Sequence, residues 1–184
     1  MIDIKGSTEE YIGCVKNSLD KMLGYLEGII FKEINFDFLD RDLNLNELKF
    51  SNGIYIISIQ NLDVVSNKEI CQLVSKLKNS HPNYKFPKIN VKNCSDEKNN
   101  ILYIGKSKGR LYSRINGHLG NGSPSTFALH LSQWKKNERL KKVKLKLQYA
   151  FLDMDDEDIE SDILELLETA LHRKYKPVLG RTGH

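Results

Sequence analysis

At 184 residues the chain is long enough for one domain of ordinary size with a sizeable core. Its 40% hydrophobic and 28% charged content are those of a globular protein, and its apolar runs fall far short of the roughly 18 residues that a membrane span needs. Met1-Ile2-Asp3-Ile4-Lys5 carries an acid where a secretory leader carries lysines, with no uninterrupted apolar stretch behind it, so the chain reads as cytoplasmic.

The net charge of +4 conceals where the charge lies. Between Leu102 and Ala150 there are eleven Lys/Arg and a single acid, Glu138. From Leu152 to Glu168 there are nine acids and no base, and the first fifty residues carry ten acids against six bases. A basic central block invites a polyanion, because neutralising phosphates releases condensed counterions; an acidic block beside it invites a cation. Three cysteines, Cys14, Cys71 and Cys94, are dispersed without CxxC spacing. That pattern argues against a disulfide framework and a zinc site, and they read as buried or idle thiols.

In chain order, Ser7-Thr8-Glu9-Glu10 has capping-box spacing, and Tyr11, Ile12, Val15, Leu19, Met22, Leu23 and Leu26 follow as a helical stripe. Gly13, Gly24 and Gly28 weaken that helix by about 1 kcal/mol each relative to alanine, so packing on the rest of the protein is expected to hold it. The stretch from Phe31 to Leu48, with Phe36, Phe38, Leu39, Leu43 and Leu45, has no clean period. Residues 1–48 therefore read as a helical N-terminal extension packed on a core that occupies 49–184.

Gly53 to Ile59 is a strand by its β-branched and aromatic content, as is Ile101 to Gly105. Ser66-Asn67-Lys68-Glu69 is a second capping box, followed by Ile70, Leu73, Val74 and Leu77 at helical spacing. His81-Pro82 and Phe86-Pro87 end any helix, and 93–100 is polar and loop-like. Residues 108–119 read as a helix with Leu111, Ile115 and Leu119 toward the core and Arg110, Arg114 and His118 in a parallel row. Ser123-Pro124 is expected to open another helix, whose buried face is Phe127, His130, Leu131 and Trp134, with Trp134 in the core. Lys144 to Phe151 alternates as a third strand, lysines outward. Asp153 to Asp158 is a turn and helix start, and Ile159, Ile163, Leu166, Leu167 and Ala170 define the buried face of a last helix, with Glu168 at its border and Glu165 further out.

Gly53-Ile54-Tyr55 and Tyr103-Ile104-Gly105, followed in order by Lys106, Arg114-Ile115-Asn116-Gly117-His118, Glu168 and Lys176-Pro177, closely resemble the GIY-YIG nuclease family over roughly residues 50–180. The resemblance implies an α+β fold, a small three-stranded antiparallel sheet flanked by helices, and cleavage of phosphodiester bonds with one divalent metal, Mg²⁺ or Mn²⁺. The 47 residues between the tripeptides exceed the short hairpin of compact members, so 61–99 is an insertion expected to form a lobe over one side of the site.

The resemblance places the family tyrosines at Tyr55 and Tyr103, its arginine at Arg114 with Arg110 as the rival position, and its glutamate at Glu168. Arg114 offers a bidentate fork to phosphate oxygens that lysine cannot. Glu168 is the candidate metal ligand, since Mg²⁺ binds through one or two carboxylates plus waters and substrate oxygens, and a single well-placed acid favours one ion over two. Tyr55 accepts a proton from the attacking water or orients it; a free phenol titrates near pH 10, and Lys106 or the metal is expected to lower it. Tyr103 orients the phosphate or supports the site, and His118 is a second general-base candidate. Lys106, Lys108, Arg110 and Arg114 are the candidates to contact nucleic acid.

The family implies DNA as substrate, with RNA left open, and a homodimer is one way for the insertion and the N-terminal helix to read sequence. The competing reading is a catalytically inactive nucleic-acid-binding module of the same fold. One family feature is missing: many members carry an asparagine in a P-x-x-N arrangement, where Pro177-Val178-Leu179-Gly180 supplies glycine. Asn121 and Thr182 are the candidates to stand in.

Overall fold

A computed structural model describes residues 4–37, 43, 45, 48, 52–135, 137–152 and 157–181. The elements run α1 (Ile4–Glu27), β1 (Lys32–Asp37), β2 (Asn52–Ile59), α2 (Asn67–Ser80), β3 (Ile101–Ser107), α3 (Leu111–Leu119), α4 (Leu131–Trp134), β4 (Lys144–Leu152) and α5 (Glu157–Tyr175). The four strands form one sheet in the order β1-β4-β2-β3, all neighbours antiparallel. Phe38, Leu39, the turn at 153–156 and Thr182 lie outside the described residues, as do the side chains of Met22 and Ile159.

The α+β class stands, and the sheet has four strands where three were expected. β1, from the extension, adds to the outer edge of β4, pairing Glu33 with Gln148 and Phe36 with Leu145. Its alternation is weak because it is an edge strand: Phe36 is its one buried residue, while Glu33 faces outward to Lys146 and Gln148.

β2 is buried on both faces, as a strand covered on both sides must be, whereas β4 alternates, with Lys144, Lys146 and Gln148 on its less buried face. Tyr55, Ile57 and Ile59 join the main core with α2 and α3 residues. Ile54 and Ile56, which alternate to the opposite face, are buried as well, and α5 packs against β3 and β2.

The segment between β2 and β3 carries a helix, α2. In α2 the Ser66 side chain accepts the Glu69 amide while the Glu69 carboxylate accepts the Ser66 amide, which satisfies two orphan donors at the helix start. Beyond α2 the segment 84–99 is tied down by backbone bonds. Lys85 N donates to the Pro124 carbonyl and Ala128 N to the Lys85 carbonyl; Asn90 N donates to Val178 O, and Gly180 N to Lys88 O. The amides of Asn90, Asn93 and Asn99 hold the carbonyls of Pro177, Gly180 and Lys176. The segment between β2 and β3 is therefore fastened to the loop before α4 and to the C-terminal tail.

Three local expectations need correction. Cys71 and Cys94 are joined by a disulfide between α2 and the short 3₁₀ turn at Asn93–Ser95, which leaves Cys14 exposed and free; spacing along the chain did not predict which thiols the fold would bring together. α1 begins at Ile4, ahead of Ser7, and its stripe does not pack on the core: Ile4, Tyr11, Ile12, Val15, Leu19 and Leu23 are exposed. Its C-terminal end joins a small cluster through Leu26 and Ile29 against Leu152, Ile163 and Leu164. Helical spacing marks an apolar stripe without saying what covers it. Finally, the helix expected from Ser123 is confined to Leu131–Trp134, because His130 takes a left-handed backbone at φ 50°, which interrupts helix propagation. Trp134 is in the core as expected, but Phe127 is 56% exposed. No helix among the described residues is long and apolar enough to cross a membrane.

Candidate active site

The two tripeptides face each other across β2–β3, with Tyr55 opposite Gly105 and Gly53 opposite Ser107. A β-carbon at Gly105 would collide with the Tyr55 hydroxyl and lie 2.8 Å from the Tyr103 ring. A β-carbon at Gly53 would strike the Ala150 carbonyl of β4. Each glycine thus opens room that a neighbour fills, one for a tyrosine and the other for a strand.

Tyr55 is fully buried, at 0% exposure. Its hydroxyl lies 2.8 Å from His118 Nε2, and the other imidazole nitrogen, Nδ1, accepts the Leu129 amide at 3.1 Å. A neutral imidazole has one donor and one acceptor nitrogen; with Nδ1 accepting, Nε2 carries the proton and donates to Tyr55. Burial, then Arg114 and His130, hold His118 well below its ordinary pKa, so the neutral form persists. Leu129 is itself held, its carbonyl accepting from Trp134 Nε1 at 2.8 Å. The chain Trp134–Leu129–His118–Tyr55 fixes the phenol from behind.

Tyr103 stacks with Tyr55, ring centroids 6.1 Å apart, and its hydroxyl accepts from Arg114 Nη2 at 3.3 Å. Burial, then the neighbouring Tyr103, pushes the Tyr55 phenol well above its ordinary value, while Arg114 works the other way. Burial likewise raises Tyr103. The cation that bears on the phenols is Arg114. Lys106 instead pairs with Glu165 and lies 3.5 Å from Glu168 Oε2. Glu168, at 8% exposure, sits one turn before His172, whose Nε2 donates to the Ile104 carbonyl at 3.2 Å, binding α5 to β3 beside the tripeptide.

These groups meet at a cleft of about 550 Å³. Tyr103, Lys106, Arg114 and Glu168 line its floor, and Phe86, Pro87, Lys78 and Lys88 form a wall from the insertion. Tyr55 and His118 lie behind Tyr103. Lys108 and Arg110 are exposed and do not line the cleft. Arg110 precedes α3 in a non-helical conformation, so the expected row Arg110–Arg114–His118 is divided among solvent, cleft and core.

Sequence reasoning missed Phe127 and Arg181 at the mouth, and the Leu129 amide. Phe127 fits the period of a buried helical face and so points to the core, Arg181 carries no periodic signal, and a backbone contact leaves none. Gly180 has φ 101°, and a β-carbon there would come 3.0 Å from the Tyr103 ring, so this position is shaped around Tyr103. Asn121 follows α3 in an exposed turn outside the cleft lining.

The family model of the GIY-YIG catalytic domain matches residues 53–180, more than half of the chain, and the chain belongs to that family. It is therefore a protein of nuclease type, a class that hydrolyses phosphodiester bonds. Neither the curated proteins nor the solved structures include a significant match.

Proposed function

We propose that the protein is a metal-dependent DNA endonuclease working with a single ion. The observation that carries this reading is the convergence of Arg114, Tyr103, Lys106 and Glu168 on one cleft, with Tyr55 and His118 immediately behind. All of them come from one chain, so no second copy is needed to complete the site.

Glu168 fits one Mg²⁺ or Mn²⁺: it is the one acid among the described residues that lines the cleft, and such an ion keeps waters and takes further oxygens from a phosphate. Among the described residues no three His, Cys, Asp or Glu gather into a metal cluster, whereas a two-ion site draws on several acids. Bound there, such an ion acts as a Lewis acid on the phosphate and eases ionisation of water.

Arg114 places its fork on two phosphate oxygens and matches the charge that builds as the nucleophile adds. Tyr103, on the cleft, orients the phosphate or the attacking water, and Tyr55 acts on that water through it as a neutral phenol, because burial outweighs the donors from His118 and Arg114 that favour its ionised form. His118 is then a donor that supports Tyr55, not a base.

Two observations favour the competing reading of a binding module that does not cut: Lys106 already lies against Glu168, and glycine stands at position 180. Plasmid nicking with Mg²⁺ or Mn²⁺ decides between the two. Conversion to nicked circles supports the nuclease; binding without nicking under either ion supports the module.

A further inference from the structure

Phe127 is a large apolar ring left 56% exposed at the mouth of a cationic cleft. It is not loosely placed. Its loop is fastened to the insertion through Lys85, which donates to Pro124 O at 2.8 Å and accepts from Ala128 N at 3.1 Å. The Lys85 ammonium lies 5.5 Å from the Phe127 ring centre, close enough for a cation–π contact. On the same wall stand Phe86 and Pro87, and Lys78, Lys88 and Arg181 complete the cationic surround.

We propose that Phe127 is a base-stacking platform and that the cleft takes an unpaired nucleotide, so that the substrate is single-stranded or locally unpaired nucleic acid in preference to an intact duplex. This rests on the nucleic-acid reading of the site and narrows its substrate. The groups that line the cleft are sunk below the surface: Tyr103 and Glu168 are each 8% exposed. A volume of about 550 Å³ falls in the roughly 300–1,000 Å³ range of sites that enclose a small molecule, the scale of a nucleotide and not of a double helix.

In a duplex the faces of the bases are covered by their neighbours, and Phe127 would have nothing to stack on. An unstacked base offers its π-face, and aromatic platforms within positive grooves are how single strands are held without regard to sequence. The lysines and arginine follow the backbone while Phe127 holds one base beside the phosphate that Arg114 faces.

The test is binding in EDTA at low salt, so that it does not depend on cleavage. The probes are a short 2-aminopurine-labelled single-stranded oligodeoxynucleotide, its oligoribonucleotide counterpart, and the same DNA sequence as a duplex. The expected result is at least about tenfold tighter binding of single strand than duplex, with quenching of 2-aminopurine on binding. Phe127→Ala should lose about tenfold or more in single-strand affinity, leave duplex binding unchanged, and keep the thermal midpoint, while Phe127→Trp restores the affinity. Equal or tighter duplex binding, no single-strand binding, or a Phe127→Ala affinity within about twofold of wild type overturns the proposal. Single-strand binding that depends on Phe127, without cleavage when Mg²⁺ or Mn²⁺ is added, leaves the platform standing and defeats the nuclease reading.

Discussion

His118 Nε2 stands 2.8 Å from the Tyr55 hydroxyl, and because His118 Nδ1 accepts the Leu129 amide, the imidazole is the donor of that pair. Tyr55 and His118 should therefore act as one unit. Tyr55→Phe and His118→Ala are each expected to lower the cleavage rate by a factor on the order of 10² or more, and the double variant should lose little beyond the worse single one, as groups acting together do. Single-turnover cleavage under saturating protein measures this. Multiplied losses would show that the two act separately.

The same pair sets a pH dependence of stability. The folded-state pKa of His118 is depressed, whereas an unfolded histidine titrates near pH 6.5. Below that value the unfolded chain binds a proton that the folded chain refuses. The stabilising contribution is complete above about pH 6.5 and is lost as pH falls from there toward the folded value, at up to about 1.4 kcal/mol per pH unit. Urea unfolding at pH 7.5 and pH 5 should show this decline, and it should be shallower in His118→Asn. Equal slopes in the two proteins would remove His118 as the cause.

Gly105 predicts a sharper effect than an exposed glycine would give. Its β-carbon would fall on the Tyr55 hydroxyl, so Gly105→Ala must displace the phenol or part β2 from β3. We expect a loss of about 1–3 kcal/mol in stability, as for overpacked sites, and a fall in cleavage comparable to that of Tyr55→Phe. Gly13→Ala is the control: nothing lies near it, and helix propensity predicts a gain of up to about 1 kcal/mol. Denaturant melts of the two variants compare them.

The Cys71–Cys94 bridge closes a loop with a sequence separation of 23, which chain entropy values at about 3 kcal/mol. The bridge also runs against a cytosolic setting, where such bonds are rare. Reduction by dithiothreitol, or Cys71→Ser, should lower the thermal midpoint by several degrees. Identical midpoints for oxidised, reduced and Cys71→Ser protein would mean that the bridge does not form.

What could be read from the chain was what repeats or pairs locally. The apolar runs around Tyr55 and Tyr103, the Ser66–Glu69 capping box and the four-residue recurrence of Leu111, Ile115 and Leu119 all carry local signals, and all stand in the structure. β1 left little trace because an edge strand with one buried residue has little alternation to show. Phe127 was misplaced because 127, 130, 131 and 134 fit a helical face, and no pattern announces the left-handed turn at His130. The disulfide, the fastening of 85–90 to 124–128 and 178–180, and the Leu129 amide that sets the His118 tautomer are long-range events. Tertiary geometry decides them.

The central claim is that Glu168 serves an ion in phosphodiester cleavage. The direct measurement is cleavage of plasmid and of single-stranded DNA by wild type and Glu168→Gln in Mg²⁺ or Mn²⁺, with DNA binding followed in parallel. The account predicts ion-dependent cutting by wild type, a loss on the order of 10³-fold or more in the variant, and binding that survives in both. Cutting by Glu168→Gln at the wild-type rate would contradict it.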